Sequence, residues 1–210
     1  ASQADEAALR LTRRCLSALH GAGFGVLLVT KSDLVVRDLD LLDPKRAVIS
    51  FTITTDRDDV AARMEPLAPP PSARLAALAE CNRQGFATVC RVDPIIPGLT
   101  DGPGDLERLV EKVAEAGTRH IIASTLKLRA DSMERFQKLF PQEYKRLSVV
   151  YHRSTPQGSQ WYLPPTVRRQ LLDRVAEPAR RLGLTFAACR EGFRDLQSGV
   201  CDGRQLIGVV

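Results

Sequence analysis

The spacing of apolar and polar positions divides the chain into alternating helices and strands. Ala8, Leu11, Cys15, Leu16 and Leu19 recur at helical intervals between Asp5 and His20, and Gly21 and Gly23 end that helix. Gly25 to Thr30 is a short unbroken apolar run of the kind found in a buried parallel strand, and a short helix is predicted over Leu34 to Leu42. Ala47 to Thr55 alternates. Val48, Ser50, Thr52 and Thr54 share one face, and Ile49, Phe51 and Ile53 share the other. A face of small hydroxyl-bearing residues suits a lumen holding a polar ligand, although ordinary β-branched strand filling gives the same pattern. A helix over Asp56 to Met64, a stiff loop from Glu65 to Pro71 and a helix capped by Ser72 and running to Gln84 complete this portion.

The stretch from Phe86 to Asp101 is the most informative. Phe86, Val89, Val92 and Ile95 make a strand, and Pro94 and Pro97-Gly98 stop it, which leaves Asp93 where strand becomes loop. Asp101, Asp105 and Glu107 lead into a helix from about Gly104 to Ala116, ended by Gly117, and Arg119 to Leu126 is a fourth strand. Strands alternating with helices at this spacing argue a parallel sheet with right-handed crossovers, whose ligands bind at the carboxyl ends of the strands. Those ends carry Lys31 and Ser32, Thr52 and Thr54, Asp93, and Lys127 and Arg129, which together make a composite site. After Ala130 the pattern changes. A helix from Asp131 to Leu147 breaks at Phe140-Pro141; Val149 to Trp161, containing Thr155, reads as a hairpin or extended lid. A long basic helix spans Pro164 to Leu182, and Leu184 to Cys189 is a last strand.

Composition narrows the class. At 210 residues the chain can bury a sizeable core as one domain. A net charge of +5 and a pI near 9.1 permit phosphate contact, but charge spread this evenly describes a solvated surface. No apolar run approaches the ~20 residues that span a bilayer, and the first residues have no basic start or secretory core. Five cysteines without regular spacing do not describe a disulfide framework, which fits a reducing cytoplasm. His20, His120 and His152 have no metal-site spacing.

Val29-Thr-Lys-Ser-Asp-Leu-Val35, Ser50-Phe-Thr-Ile-Thr54, Glu65-Pro66, Arg74-Leu-Ala-Ala-Leu78 and Asp93-Pro-Ile-Ile-Pro-Gly98 occur in an order and spacing that resembles the spore photoproduct lyase-like branch of the radical S-adenosylmethionine enzymes. Ala123-Ser-Thr-Leu-Lys-Leu-Arg129, Trp161-Tyr-Leu-Pro164, Cys189-Arg-Glu-Gly192 and Cys201-Asp-Gly203 are similar to the tail of a subgroup of uncharacterised members. The resemblance implies an α/β fold: the carboxyl-terminal portion of a partial (β/α)6 TIM-like barrel over residues 1–130, with a helical and hairpin extension over 131–210 packed on it. It implies S-adenosylmethionine and a [4Fe-4S] cluster in the full-length parent, which generates a 5′-deoxyadenosyl radical to act on a substrate such as a DNA lesion. Three thiolates of a Cys-x3-Cys-x2-Cys loop hold such a cluster. This sequence has no such loop; its first strand aligns with the family's third. The expectation is an enzyme lacking its amino-terminal part and inactive alone.

The resemblance also assigns roles. Lys31 matches a lysine placed to pair with the methionyl carboxylate, with Ser32 beside it. Thr52 and Thr54 match hydroxyls within reach of ribose or carboxylate. Asp93 stands where other members have alanine near the adenine; it could accept from an amine or ribose hydroxyl, or cap the next turn, while the backbone from Val92 through Pro94 to Ile95 keeps its contacts. Lys127 and Arg129 suit a phosphate or acidic substrate, or else pair with Asp131 or Glu134. Trp161 and Tyr162 match a hairpin near the substrate, where they could stack on bases while Arg168 and Arg169 meet phosphates; the alternative is a lid packed on the barrel. Cys189 and Cys201 could bind a metal, assist a radical step or be buried thiols.

Two other readings stand beside this one: a nucleic-acid-binding α/β module without chemistry, and an unrelated small α/β enzyme acting on a phosphorylated metabolite. Missing strands would also leave an apolar sheet edge prone to self-association.

Overall fold

The structure, a computed structural model, describes residues 3–152 and 156–207. Its centre is a five-stranded parallel sheet in sequential order: β1 (Val26–Thr30), β2 (Ala47–Thr52), β3 (Ala87–Ile95), β4 (His120–Thr125) and β5 (Thr185–Ala188). Sequential order with crossovers of one hand puts every connecting helix on the same side. One apolar cluster accordingly joins Ile49, Phe51, Cys90, Val92 and Ile121 of the strands to residues of the helices. The arrangement is that of a partial TIM-like fold, with β1 and β5 at the edges of the sheet among the described residues, and not a doubly wound sheet.

The helices are α1 (Gln3–Leu9), α2 (Leu11–Gly21), α3 (Asp58–Met64), α4 (Pro71–Arg83), α5 (Asp105–Glu115), α6 (Ala130–Leu139), α7 (Pro141–His152) and α8 (Pro165–Arg181). Most follow the predicted spans. The first predicted helix is two, broken where Arg10 takes a left-handed φ of 50° and the Glu6 carboxylate accepts the Thr12 N–H. Leu34 to Leu42 is tighter than an α-helix: a 3-10 helix over Asp33–Leu41 opens with the Leu34 N–H donating to the Ser32 hydroxyl. Ser72 does not cap α4; Pro71 occupies the first helical position, where its missing N–H is no loss.

The predicted hairpin over Val149 to Trp161 is only partly described. α7 runs on to His152, and Thr155 lies outside the described residues. Gln157 and Gln160 bridge a turn at Gly158, and Trp161 exchanges backbone hydrogen bonds with Leu128. α8 crosses from β4 to β5, so residues after Ala130 add a further βα unit to the same sheet and core.

The opposite face of the sheet is the lumen side. Its lower half carries Val48, Val89, Ile122 and Ala187, covered by Leu206 and Ile207 of the tail. Gly203 sits where a β-carbon would stand 2.6 Å from Val89 and 3.2 Å from Val48, so the tail lies directly on the strands. The upper half is polar.

Candidate functional site

Strand parity and register fix which side chains share the upper lumen floor. Thr52 on β2 is beside Arg91 on β3, and Arg91 is beside Ile122 on β4. Two residues further along each strand the same face brings Asp93 and Ser124 together. The Ser124 hydroxyl donates to Asp93 Oδ1, and Arg91 Nη2 lies 3.1 Å from Asp93 Oδ2 and 3.7 Å from Cys189 Sγ. Burial opposes the charge on Arg91, and its bonds to Cys189 and Asp93 outweigh that, holding its pKa above the ordinary value. Asp93 therefore faces the lumen with a partner on either side and does not cap the following turn. Its peptide bond to Pro94 is cis.

A second network lies at the ends of β1 and β2. Glu65 accepts from Lys31 Nζ at 2.6 Å and from Thr54 Oγ1 at 3.3 Å, and forms an ion pair with Arg74. Arg74, only 1% exposed, also donates to the carbonyls of Thr52 (3.0 Å) and Pro69 (2.8 Å). Two cations share one carboxylate, so the cluster keeps a net positive charge, and it surfaces at Lys31, whose side chain is half-exposed. Glu65 takes one of the three ammonium hydrogens. That leaves two of its donors without a partner among the described residues. Ser32 serves as a helix cap, and the Thr54 hydroxyl turns to Glu65.

The third network ties the carboxyl-terminal residues to the rim. Glu191, whose side chain has no solvent exposure, accepts from Lys127 Nζ (2.8 Å), Arg168 Nη1 (2.8 Å) and the Thr125 N–H (2.7 Å). Lys127 also reaches the carbonyls of Thr125 (3.4 Å) and Cys189 (3.5 Å), so its three hydrogens are all engaged. That corrects one reading: Lys127 pairs with Glu191 and with neither Asp131 nor Glu134. Arg129 is exposed at the start of α6, where Ser132 accepts its N–H at 2.7 Å. Arg168 is buried on Glu191 and Leu163, and Arg169 pairs with Asp173 and Asp195, so neither presents a free guanidinium to a phosphate.

The Tyr162 ring has Lys127 Nζ and Arg168 at 5.5 and 5.4 Å from its centroid, an already engaged face. Trp161 packs on the core and lines a cavity of about 70 Å³ with Leu128, Met133 and Tyr151. The packed-lid alternative describes both aromatics better than open base stacking. A cavity of about 1060 Å³, lined by Lys45, Asn82, Ala87, Arg119 and Leu206 among others, opens at the other end of the sheet, away from these networks.

The residues do not fit an iron–sulfur cluster. Among the described residues no three His, Cys, Asp or Glu side chains form a metal-holding group. Cys81 and Cys90 are buried on the helix side, where burial pushes both thiols up to about 12, and Cys15 and Cys201 are exposed. No helix among the described residues is long and apolar enough to cross a membrane.

Parity put Thr52 on the face that the register shows beside Arg91, and the same count along β3 and β4 would have found Arg91 and Ser124. Glu191 gave no such signal. It follows the last strand in sequence and reaches the rim only because β5 lies beside β4.

The fold is that of spore photoproduct lyase. Its complex with a dinucleoside spore photoproduct superposes with a TM-score of 0.64 at 16% identity, over 84% of this chain and 54% of that one. No protein-family model matches the chain. A radical SAM Nalpha-GlyT isomerase of Pseudomonas phage M6 is 29% identical over 118 residues, 54% of this chain and 24% of the isomerase. An uncharacterized protein of Acidianus two-tailed virus, ORF301, is 32% identical over 139 residues, 64% of this chain and 46% of that protein. The chain thus spans roughly half or less of the length of these relatives. In fold the chain is thus similar to spore photoproduct lyase, and over about half its length it is similar in sequence to a radical SAM isomerase, which agrees with the resemblance carried by its ordered motifs.

Proposed function

We propose that these residues form the S-adenosylmethionine- and substrate-binding portion of a radical S-adenosylmethionine enzyme. The observation that carries the reading is Lys31: a half-exposed ammonium at a parallel-strand end, with donors to spare, on a cluster whose charge stays positive after Glu65 is counted. A carboxylate there gains a charge-assisted hydrogen bond without displacing the Arg74–Glu65 pair. Thr52, and Asp93 two residues beyond its register partner Arg91, lie on the same face of the sheet, where a nucleoside joined to that amino acid would sit. The cluster that cleaves the cofactor would be held by cysteines these residues do not include, so the chain by itself is a binding portion and not a complete catalyst. The substrate is a modified or damaged nucleobase in DNA; the dinucleoside spore photoproduct bound by the structurally similar lyase, together with the similarity to an Nalpha-GlyT isomerase, supports that class.

The test is calorimetric titration of the chain with S-adenosylmethionine and S-adenosylhomocysteine. Binding of both is expected, with at least a tenfold loss in Lys31→Met. No binding to the folded chain, or binding unaffected by that change, overturns the reading.

A further inference from the structure

Arg91 and Asp93 differ from every other ion pair of the upper lumen in what they leave unused. Arg91 Nη2 serves both Asp93 and Cys189, while Nε and Nη1 have no acceptor among the described residues. Asp93 accepts one bond on each oxygen, from Arg91 and from Ser124, and each carboxylate oxygen can accept another. The pair is largely shielded, with side chains 17% and 30% exposed. A fixed donor therefore stands beside a fixed acceptor on one wall. The two charges cancel, so an anion gains little net attraction here; the Lys31 cluster, with its surplus charge, is the better anion site.

We infer that Arg91 and Asp93 form a reading pair for the edge of a heterocyclic base in which a hydrogen-bond acceptor lies next to an N–H donor. Arg91 donates to the ring acceptor, and Asp93 accepts from the N–H. A thymine-type imide offers this pattern through a carbonyl and N3–H, and adenine offers it through N1 and the exocyclic amine. Ser124 and Cys189 hold the pair in place from β4 and β5. Because a methyl group in place of the N–H takes a hydrogen bond from the half-buried Asp93 carboxylate and crowds it, an N-methylated edge is discriminated against. The inference rests on the proposed function in placing a base in this lumen, and it adds the side chains that select it.

The experiment is titration of the chain with thymidine, N3-methylthymidine, adenosine and N6,N6-dimethyladenosine, followed by ligand-observed nuclear magnetic resonance. At least one parent nucleoside is expected to bind at least tenfold more tightly than its methylated form, and to lose that preference in Asp93→Asn and Arg91→Lys, each checked for native circular dichroism. The sensitive pair identifies the source, substrate base or cofactor adenine. Equal binding of parent and methylated forms overturns the inference, as does a preference that survives both substitutions or displacement of the nucleoside by equimolar inorganic phosphate. Should the variants fail to fold, the methylated ligands decide alone. S-adenosylmethionine binding retained while nucleoside selectivity fails sinks this inference only; loss of both sinks the proposed function.

Discussion

Lys31 and Arg74 hold the same carboxylate, Glu65, from opposite sides, one at the surface and one buried. The asymmetry predicts different outcomes for three substitutions. Glu65→Gln leaves the guanidinium of Arg74 inside the protein without its counter-charge, which costs about 3–5 kcal/mol. Lys31→Met removes only the half-exposed partner and costs less than about 1 kcal/mol. Arg74→Met orphans the Thr52 and Pro69 carbonyls as well as Glu65, and should match or exceed the Glu65 change. Urea unfolding of the three variants measures the order; a Lys31 variant as unstable as the other two contradicts it.

Glu191 has the same logic on the other side of the sheet. Its carboxylate joins β4 through Thr125, α8 through Arg168 and the rim through Lys127. Glu191→Ala leaves Arg168 buried and unpaired, with an expected loss of about 3–5 kcal/mol. Hydrogen exchange should quicken first in the opening turn of α8, where Arg168 lies. Lys127→Ala should cost less, since Arg168 keeps its partner. Equal losses, or exchange that quickens uniformly, would show that Glu191 is not the tie.

These networks mark where the sequence could be read and where it could not. The βα period, the strand ends and the face shared by Ser50, Thr52 and Thr54 follow from local spacing, because a period of two or 3.6 residues is written into neighbouring positions. Asp93 was visible as a charge at a strand end. Its partners were legible only in part: Arg91 lies two residues back on the same face, but Ser124 reaches Asp93 across 31 residues and Cys189 reaches Arg91 across 98, by strand pairing that no local pattern encodes. The basic helix gave Arg168 and Arg169 the look of phosphate contacts. The fold instead buries Arg168 on Glu191, a carboxylate from a distant segment, because a buried guanidinium must be paired, and engages the more exposed Arg169 with Asp173 one turn away and with Asp195. The break at Arg10 was likewise silent, since arginine favours helix; Glu6 there accepts the Thr12 N–H and also pairs with the distant Arg37.

The tail's seat on the lumen floor can be tested at Gly203. Its φ of 70° is left-handed, and an added β-carbon would meet Val89 at 2.6 Å and Val48 at 3.2 Å. Gly203→Ala should destabilise the protein by about 1–3 kcal/mol through overpacking and backbone strain. Val89→Ala opens room at the point of contact, so the double variant should lose less than the sum of the single changes. Strict additivity, measured by thermal unfolding, would place the tail off the sheet.

His120 sets a pH dependence. Its ring has no solvent exposure; Nδ1 pairs with the Thr185 hydroxyl at 2.8 Å and Nε2 has no hydrogen-bond partner among the described residues. Burial lowers its pKa below the ordinary value of about 6.5. Above that value the ring is neutral in both folded and unfolded chains, so it contributes no slope. As pH falls below it the unfolded chain takes up a proton that the folded chain refuses, and stability drops until the folded pKa is reached. His120→Gln should flatten the melting temperature between pH 7 and pH 5 relative to the native chain; an unchanged slope would assign the effect to other groups.

The last prediction concerns β1, an edge strand whose lumen face is apolar. Leu27 and Val29 are 45% and 54% exposed, and Phe24 just before the strand is 60% exposed. An unpaired strand edge next to exposed aliphatic side chains is a template for another strand. The chain alone is therefore expected to self-associate, with the dimer fraction rising with concentration and persisting at high salt because the contact is apolar. Val29→Lys places a charge in the middle of that face and should shift the chain to monomer without lowering its stability, since Val29 gives up little burial. Sedimentation velocity separates the outcomes. A native chain that stays monomeric at high concentration, or an assembly untouched by Val29→Lys, would move the contact away from β1.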